Sequence, residues 1–323
     1  MTSLTLLPNG ELKCGNLKCG LIVVKCLNYA QYDACNQCVV KPASVVGNAE
    51  PLDLFCNCCR FNRTIPDLSV TGNLQKWATL ESAKRRLFYD LDQLRLPYGD
   101  ASESITPPLA FDFKGDVLPS NNRWHSLNPQ EKVYTGHDNG TITINIIEAD
   151  AVEREKARVS LGEPQRTLLG HFRHEIGHYY WDVLVKNRRE DECIAVFGDH
   201  NSPDYETALE QYYEAGPRTN WADDSISEYA TMHPWEDFAE TWALYLQILS
   251  ELDTATNVGF LAPDALETAD IAAIVLRSQR LSVALNELNR SMGLMDAMPK
   301  PIVAPVVEKL KFIHQLTHPA TMN

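Results

Sequence analysis

The chain is 323 residues long, 44% hydrophobic and 22% charged, enough to bury a sizeable core in one large domain plus a small one. Its formal net charge of −14 repels phosphates and anionic headgroups, so neither nucleic acid nor a membrane surface is expected as a partner. There is no apolar run of about 18 residues, and residues 1–10 lack a basic stretch leading into a long apolar one. The expected location is therefore cytoplasmic.

Residues 1–66 are rich in cysteine and poor in periodic structure. Eight of the nine cysteines (Cys14, Cys19, Cys26, Cys35, Cys38, Cys56, Cys58 and Cys59) precede residue 60, and Cys193 is the ninth. In a cytosolic setting such clustering points to thiolate metal binding rather than disulfides. By spacing alone, Cys35-x2-Cys38 and Cys56-x2-Cys59 form the paired knuckles of a zinc ribbon. Residues 67–104 read as a helical connector, with Leu74, Trp77, Leu80, Leu87, Leu91 and Leu94 at helical spacing and a stop before Pro97. The basic run from Lys84-Arg85-Arg86 to Arg95 reads as the solvated face of that helix.

The main domain spans 105–323. Strands are expected at Leu109–Phe113, Lys132–Thr135 and Thr141–Ile146, the last two flanking a hairpin turn over Gly136–Gly140. Helices are expected over 150–160, 164–186, 204–214, 234–251, 263–291 and 303–316. The fold class is α+β, a small antiparallel sheet beside a helical bulk.

Within the second of these helices lies His174-Glu175-Ile176-Gly177-His178, an HExxH motif. A spacing of four puts both imidazoles on one helix face, where they can chelate one zinc ion. Glu175 then projects beside the metal as general base toward a metal-activated water. The Gly and His that a metzincin carries after this motif are absent, Trp181 and Leu184 standing there instead. Farther on, Trp235, Phe238, Ala239, Trp242, Leu246 and Leu249 form one apolar helical face with Glu236 and Glu240 at its edge. Carboxylates so placed need a strong partner. Glu236 is read as the third zinc ligand and Glu240 as the group that orients a ligand histidine, with the reverse assignment open. Tyr229, seven residues before Glu236, is either an oxyanion donor or a packed core tyrosine. His171 faces away from the ligand pair, and His233 precedes a helix opened by Pro234. Gly177 costs its helix about 1 kcal/mol relative to Ala, which implies close approach of substrate or of another backbone. The strand Thr141–Ile146 is a candidate platform for an extended peptide.

Four runs carry a family resemblance: Cys59–Leu68, Thr141–Asn145, Leu168–Trp181 and His233–Trp242. Together they resemble a bacterial family of putative zinc-binding metallopeptidases with an N-terminal zinc ribbon, from about Cys26 to about His314. The resemblance implies a zincin-like domain of the gluzincin class preceded by a small zinc-ribbon-like domain. Tyr229 to Glu240 is also similar to the Tyr-x6-Glu-x3-Glu arrangement of the anthrax lethal factor protease domain. That similarity implies a catalytic role for Tyr229 and ligation by Glu236. The family pattern pairs Cys26 with Cys35, and Cys56 with Cys59, so the fourth thiolate is Cys26 by resemblance and Cys38 by spacing. A further ribbon typical of the family is reduced here to Cys14 and Cys19.

The function expected is zinc-dependent hydrolysis of a peptide or protein substrate, with one catalytic and one structural Zn²⁺. The alternative is a zinc-ribbon module that binds a protein partner and carries a latent second metal site. Glu175 favours the enzyme, because a purely structural site has no use for a base.

Overall fold

The computed structural model describes residues 4–6, 12–14, 22–40, 54–115, 133–154, 167–262, 270–298 and 301–318. The fold is α+β, and the chain forms two compact units that are not consecutive segments. The first comprises Met1–Phe88, Ala110–Thr135 and Thr143–Asp150; the second comprises Tyr89–Leu109, Gly136–Ile142 and Ala151–Asn323.

The first unit opens with an antiparallel sheet of β1 (Leu4–Leu6), β2 (Leu12–Cys14), β3 (Ile22–Lys25) and β4 (Cys38–Val40), in that order. A six-residue helix, α1 (Leu27–Tyr32), lies between β3 and β4. The short strand β5 (Asn62–Thr64) then pairs in parallel with β6 (Ala110–Lys114), through a register irregularity between Asn62 and Thr64. This pair departs from the purely antiparallel sheet expected, because a strand from the cysteine-rich segment joins the sheet of the main domain. On its other side β6 is bordered by β8 (Thr141–Asn145).

Helix α2 (Asn73–Gln93) buries Trp77, Leu80, Lys84, Leu87 and Leu91. Those positions recur every three or four residues and form one helical face. Phe61, Phe88 and Phe111 pack together, with ring centroids 5.2 and 5.9 Å apart. Lys84 is therefore no part of a solvated face. It is fully buried, with its ammonium 3.2 Å from Glu81 and hydrogen-bonded to Asn62 Oδ1. The same ammonium lies 5.0 Å from the centre of the Phe111 ring.

In the second unit β7 (Gly136–Asp138) forms a hairpin with the start of β8, whereas residues 133–135 of the expected strand at 132–135 lie in no strand and 132 is outside the described residues. The reason is local. Asn139 and Gly140 both adopt positive φ, 44° and 84°, the geometry of the favoured two-residue hairpin turn, so the residues just before them form the strand. Interior placement of β8 between β6 and β7 also removes it as a free edge for a peptide.

Residues 151–154 are helical, and the rest of the helix expected over 150–160 lies outside the described residues. Then come α3 (Leu168–Tyr180), capped by Thr167 and continued by a π-helical turn at Trp181–Val185, α4 (Glu190–Phe197), and α5 (Tyr205–Ala215), capped by Asp204. They are followed by α6 (Pro234–Asn257), α7 (Ile271–Ser291) and α8 (Ala304–Thr317). Helix α4 was not expected from the sequence.

Helices α3 and α6 form the heart of this unit, burying Phe172, Ile176, Tyr179, Tyr180, Phe238, Trp242, Tyr245 and Leu246. Tyr180 stacks on Trp242 at 4.8 Å. Gly177 lets the two backbones touch: a Cβ there would sit 3.0 Å from Ala239 Cα and 3.1 Å from Trp242 Cβ. The close approach inferred from that glycine is thus to a neighbouring helix.

Candidate metal centres

The α3–α6 contact brings together His174, His178 and Glu236. His174 and His178 are one turn apart on α3, and Glu236 is in the first turn of α6. That turn is firmly held. His233 caps it, accepting from the Trp235 amide at 3.1 Å through Nδ1, while its Nε2–H donates to the His200 carbonyl at 3.1 Å. Lys309 reaches in from α8 to Asp237 at 2.6 Å.

The three donor atoms form a tight triangle. His174 Nε2 lies 3.1 Å from His178 Nε2 and 3.0 Å from Glu236 Oε2, and His178 Nε2 lies 3.5 Å from the same oxygen. Tetrahedral zinc with ligand bonds of about 2.0–2.1 Å sets its donors roughly 3.3 Å apart. Glu236 Oε2 is buried and has no hydrogen-bond partner among the described residues. The donor set fits a zinc ion.

Each donor is backed by a second group. Glu240 Oε1 accepts from His174 Nδ1 at 2.7 Å, which leaves Nε2 with its lone pair toward the site, and Ser227 Oγ donates to Glu240 Oε2 at 2.7 Å. The Trp235 ring covers that of His178 at 3.7 Å. Tyr205, the first residue of α5, donates to Glu236 Oε1 at 2.8 Å. Burial opposes charge throughout this site, yet the neighbouring carboxylates hold His174 well above the ordinary histidine value. The two histidines hold Glu236 well below the carboxylate range in spite of the same burial.

Glu175, buried beside the triangle, has its carboxyl raised by that burial and by Glu236 and Glu240, and its Oε2 has no hydrogen-bond partner among the described residues. The Tyr229 ring sits 6.1 Å from that of His174. His137 of β7 packs 6.3 Å from His178 and accepts from the Gly140 amide at 3.0 Å. Burial, assisted by His178 and Lys186, pushes His137 down to about 3, so it stays neutral. His171 is half-buried and lies outside the triangle. Sequence reasoning overlooked Tyr205, Ser227 and His137, each brought to the site from a separate segment. Trp235 was legible only as part of an apolar face.

The second cluster lies in the first unit. Cys26, Cys35, Cys56 and Cys59 are all buried, with their sulfurs mutually within 4.8 Å. Cys26 closes the group, following β3 and opening α1, whereas Cys38 sits on β4 paired with Lys25. Cys35 Sγ and Cys56 Sγ are 3.8 Å apart, the separation that two Zn–S bonds of about 2.3 Å give at a tetrahedral angle. Backbone amides of Cys56, Gln37 and Cys59 point at Cys26, Cys35 and Cys56 sulfurs at 3.3, 3.4 and 3.4 Å, the donors that buried thiolates need. Cys26, Cys35, Cys38, Cys56, Cys58, Cys59 and Cys193 are free thiols. Cys58 and Cys193 are separate buried thiols, each pushed up to about 12 by burial, and so remain uncharged core groups. Cys14 lies on β2, and Cys19 is outside the described residues.

A family model described as "putative zinc-binding metallo-peptidase" matches residues 73–316. The chain belongs to this family. Relatives include uncharacterized proteins of Mycobacterium tuberculosis and Mycobacterium bovis, each 40% identical over 275 residues that span 82% of this chain and 76% of the relative. No solved structure matches the chain. Like the sequence, the described part of this family member has no helix long and apolar enough to cross a membrane.

Proposed function

We propose that the protein is a zinc-dependent hydrolase of peptide bonds in the gluzincin manner, working in the cytoplasm on a peptide or protein substrate. The observation that carries the reading is the triangle of His174 Nε2, His178 Nε2 and Glu236 Oε2 with the buried carboxyl of Glu175 beside it. His174, His178 and Glu236 would hold the catalytic zinc. When bound, zinc supplies Lewis acidity toward a carbonyl and toward water, and so makes water acidic near neutral pH.

The remaining work falls to side chains. Glu175 takes a proton from the attacking water as the O–C bond forms, then delivers it to the amine as the C–N bond breaks. Tyr229 donates a hydrogen bond to the carbonyl oxygen as negative charge develops there. Glu240, itself held by Ser227, keeps His174 in the tautomer and orientation that ligation requires. The four clustered cysteines would hold a second, structural zinc that ties the chain at Cys26, Cys35, Cys56 and Cys59 and offers a surface for a protein partner.

The test is Glu175→Gln, which keeps size and helix propensity and removes the base. Zinc should stay bound while hydrolysis in a peptide-library screen stops. A zinc-loaded wild-type protein that cleaves nothing in that screen, with Glu175→Gln retaining full biological function, would overturn the enzyme reading.

A further inference from the structure

Glu236 presents its two oxygens to different neighbours. Oε2 faces both imidazoles at 3.0 and 3.5 Å, while Oε1 is taken by the Tyr205 hydroxyl at 2.8 Å. A carboxylate whose oxygens were both free could swing between one-oxygen and two-oxygen ligation. Here one oxygen is already engaged. The Tyr205 ring is itself fixed, packed edge-on against Trp235 at 5.6 Å and against His233 at 5.4 Å. Trp235 in turn covers His178, and His233 caps the helix that carries Glu236.

We infer that Tyr205 is a positioning residue of the metal centre, which restricts Glu236 to ligation through Oε2 alone. The inference rests on the reading of His174, His178 and Glu236 as zinc ligands. It predicts a role for a side chain outside both the HExxH helix and the glutamate helix. The role is exerted on the metal, so it is measurable without any substrate.

The experiment uses the full chain and reads metal binding directly. Zinc affinity is measured by chelator competition, and the ligand field by the visible spectrum after cobalt substitution, each as the difference from His174→Ala so that the cysteine site cancels. Tyr205→Phe keeps the ring against Trp235 and removes only the hydroxyl. It should weaken zinc about 10–100-fold, the range typical of losing a group that orients a ligand, and alter the cobalt spectrum. Thermal unfolding of the metal-free Tyr205→Phe protein should match that of the metal-free parent. Tyr229→Phe, which leaves the Glu236 contact intact, should hold zinc within about twofold of the parent, well short of such a loss. If His174→Ala loses one metal while Tyr205→Phe binds zinc and cobalt as the parent does, the inference about Tyr205 is overturned alone. If His174→Ala retains the full metal complement, the zinc reading of the triangle fails, and this inference fails with it.

Discussion

Gly177 sits between the two histidines of α3 at the point where α6 comes closest, and its replacement by alanine tests how the metal centre is held. An added Cβ would lie 3.0 Å from Ala239 Cα, 3.1 Å from Trp242 Cβ and 3.2 Å from the Ala239 carbonyl oxygen. Carbon atoms rest at about 3.5–4.0 Å, so the helices must part by roughly half an ångström. Two of the three contacted atoms are backbone and cannot swing aside. Overpacking of this kind costs about 1–3 kcal/mol, offset by the roughly 1 kcal/mol that alanine gains over glycine in a helix. The net effect on the metal-free protein is therefore a loss of about 0–2 kcal/mol. The effect on zinc should be larger in proportion. Donors now 3.0–3.5 Å apart would be drawn beyond the roughly 3.3 Å that tetrahedral zinc sets. Zinc affinity should fall by about tenfold or more, in the range seen when ligands lose their support. Urea titration of the metal-free protein gives the first quantity and chelator competition the second. A Gly177→Ala protein that is more stable by the full propensity gain and binds zinc as tightly as the parent would refute the reasoning.

Three further outcomes are expected. Elemental analysis should find two zinc ions per chain, with His174→Ala losing one and Cys59→Ser the other. Glu240→Gln should keep zinc in place but about 10–100-fold more weakly, and Ser227→Ala, which removes one hydrogen bond to Glu240, should weaken it less. Burial opposes ionisation of Asp112, but Arg63 at 2.5 Å and Lys114 at 2.9 Å outweigh it and hold the carboxyl below its ordinary range. The stability this contributes is present above the ordinary aspartate value and is lost as pH falls through the lower, folded-state value. Arg63→Ala should accordingly lower the unfolding midpoint at neutral pH, and the difference from the parent should shrink on acidification.

The parts of the site that could be read from the sequence are those in which one helix supplies its own geometry. His174 and His178, and likewise Glu236 and Glu240, are four residues apart, so the helical period alone puts each pair on one face. The contribution of Tyr205 and Ser227 depends on how a loop and a helix start return to α6, which no local period encodes. Cys35, Cys56 and Cys59 were legible from spacing. The fourth thiolate was not, because it depends on the pairing of β3 with β4, which draws Cys38 onto a strand and leaves Cys26 at the helix start. Lys84 is a case where the signal was present and a charge run concealed it. Trp77, Leu80, Lys84, Leu87 and Leu91 share one helical stripe, and periodicity alone would have buried that lysine.

The pairing of β5 with β6 bears on how the protein can be shortened. The family match begins at residue 73, nine residues past the end of β5 at Thr64, and suggests a natural place to trim. A chain cut there would lose β5 and Phe61. The hydrogen-bonding edge of β6 would then be bare, and Phe88 would lose a ring partner. Bare edges backed by apolar side chains recruit other chains, so such a fragment should aggregate even with its histidine–glutamate triangle intact. Cysteine-rich segment and sheet are thus one piece for purposes of expression, inheritance and exchange between proteins.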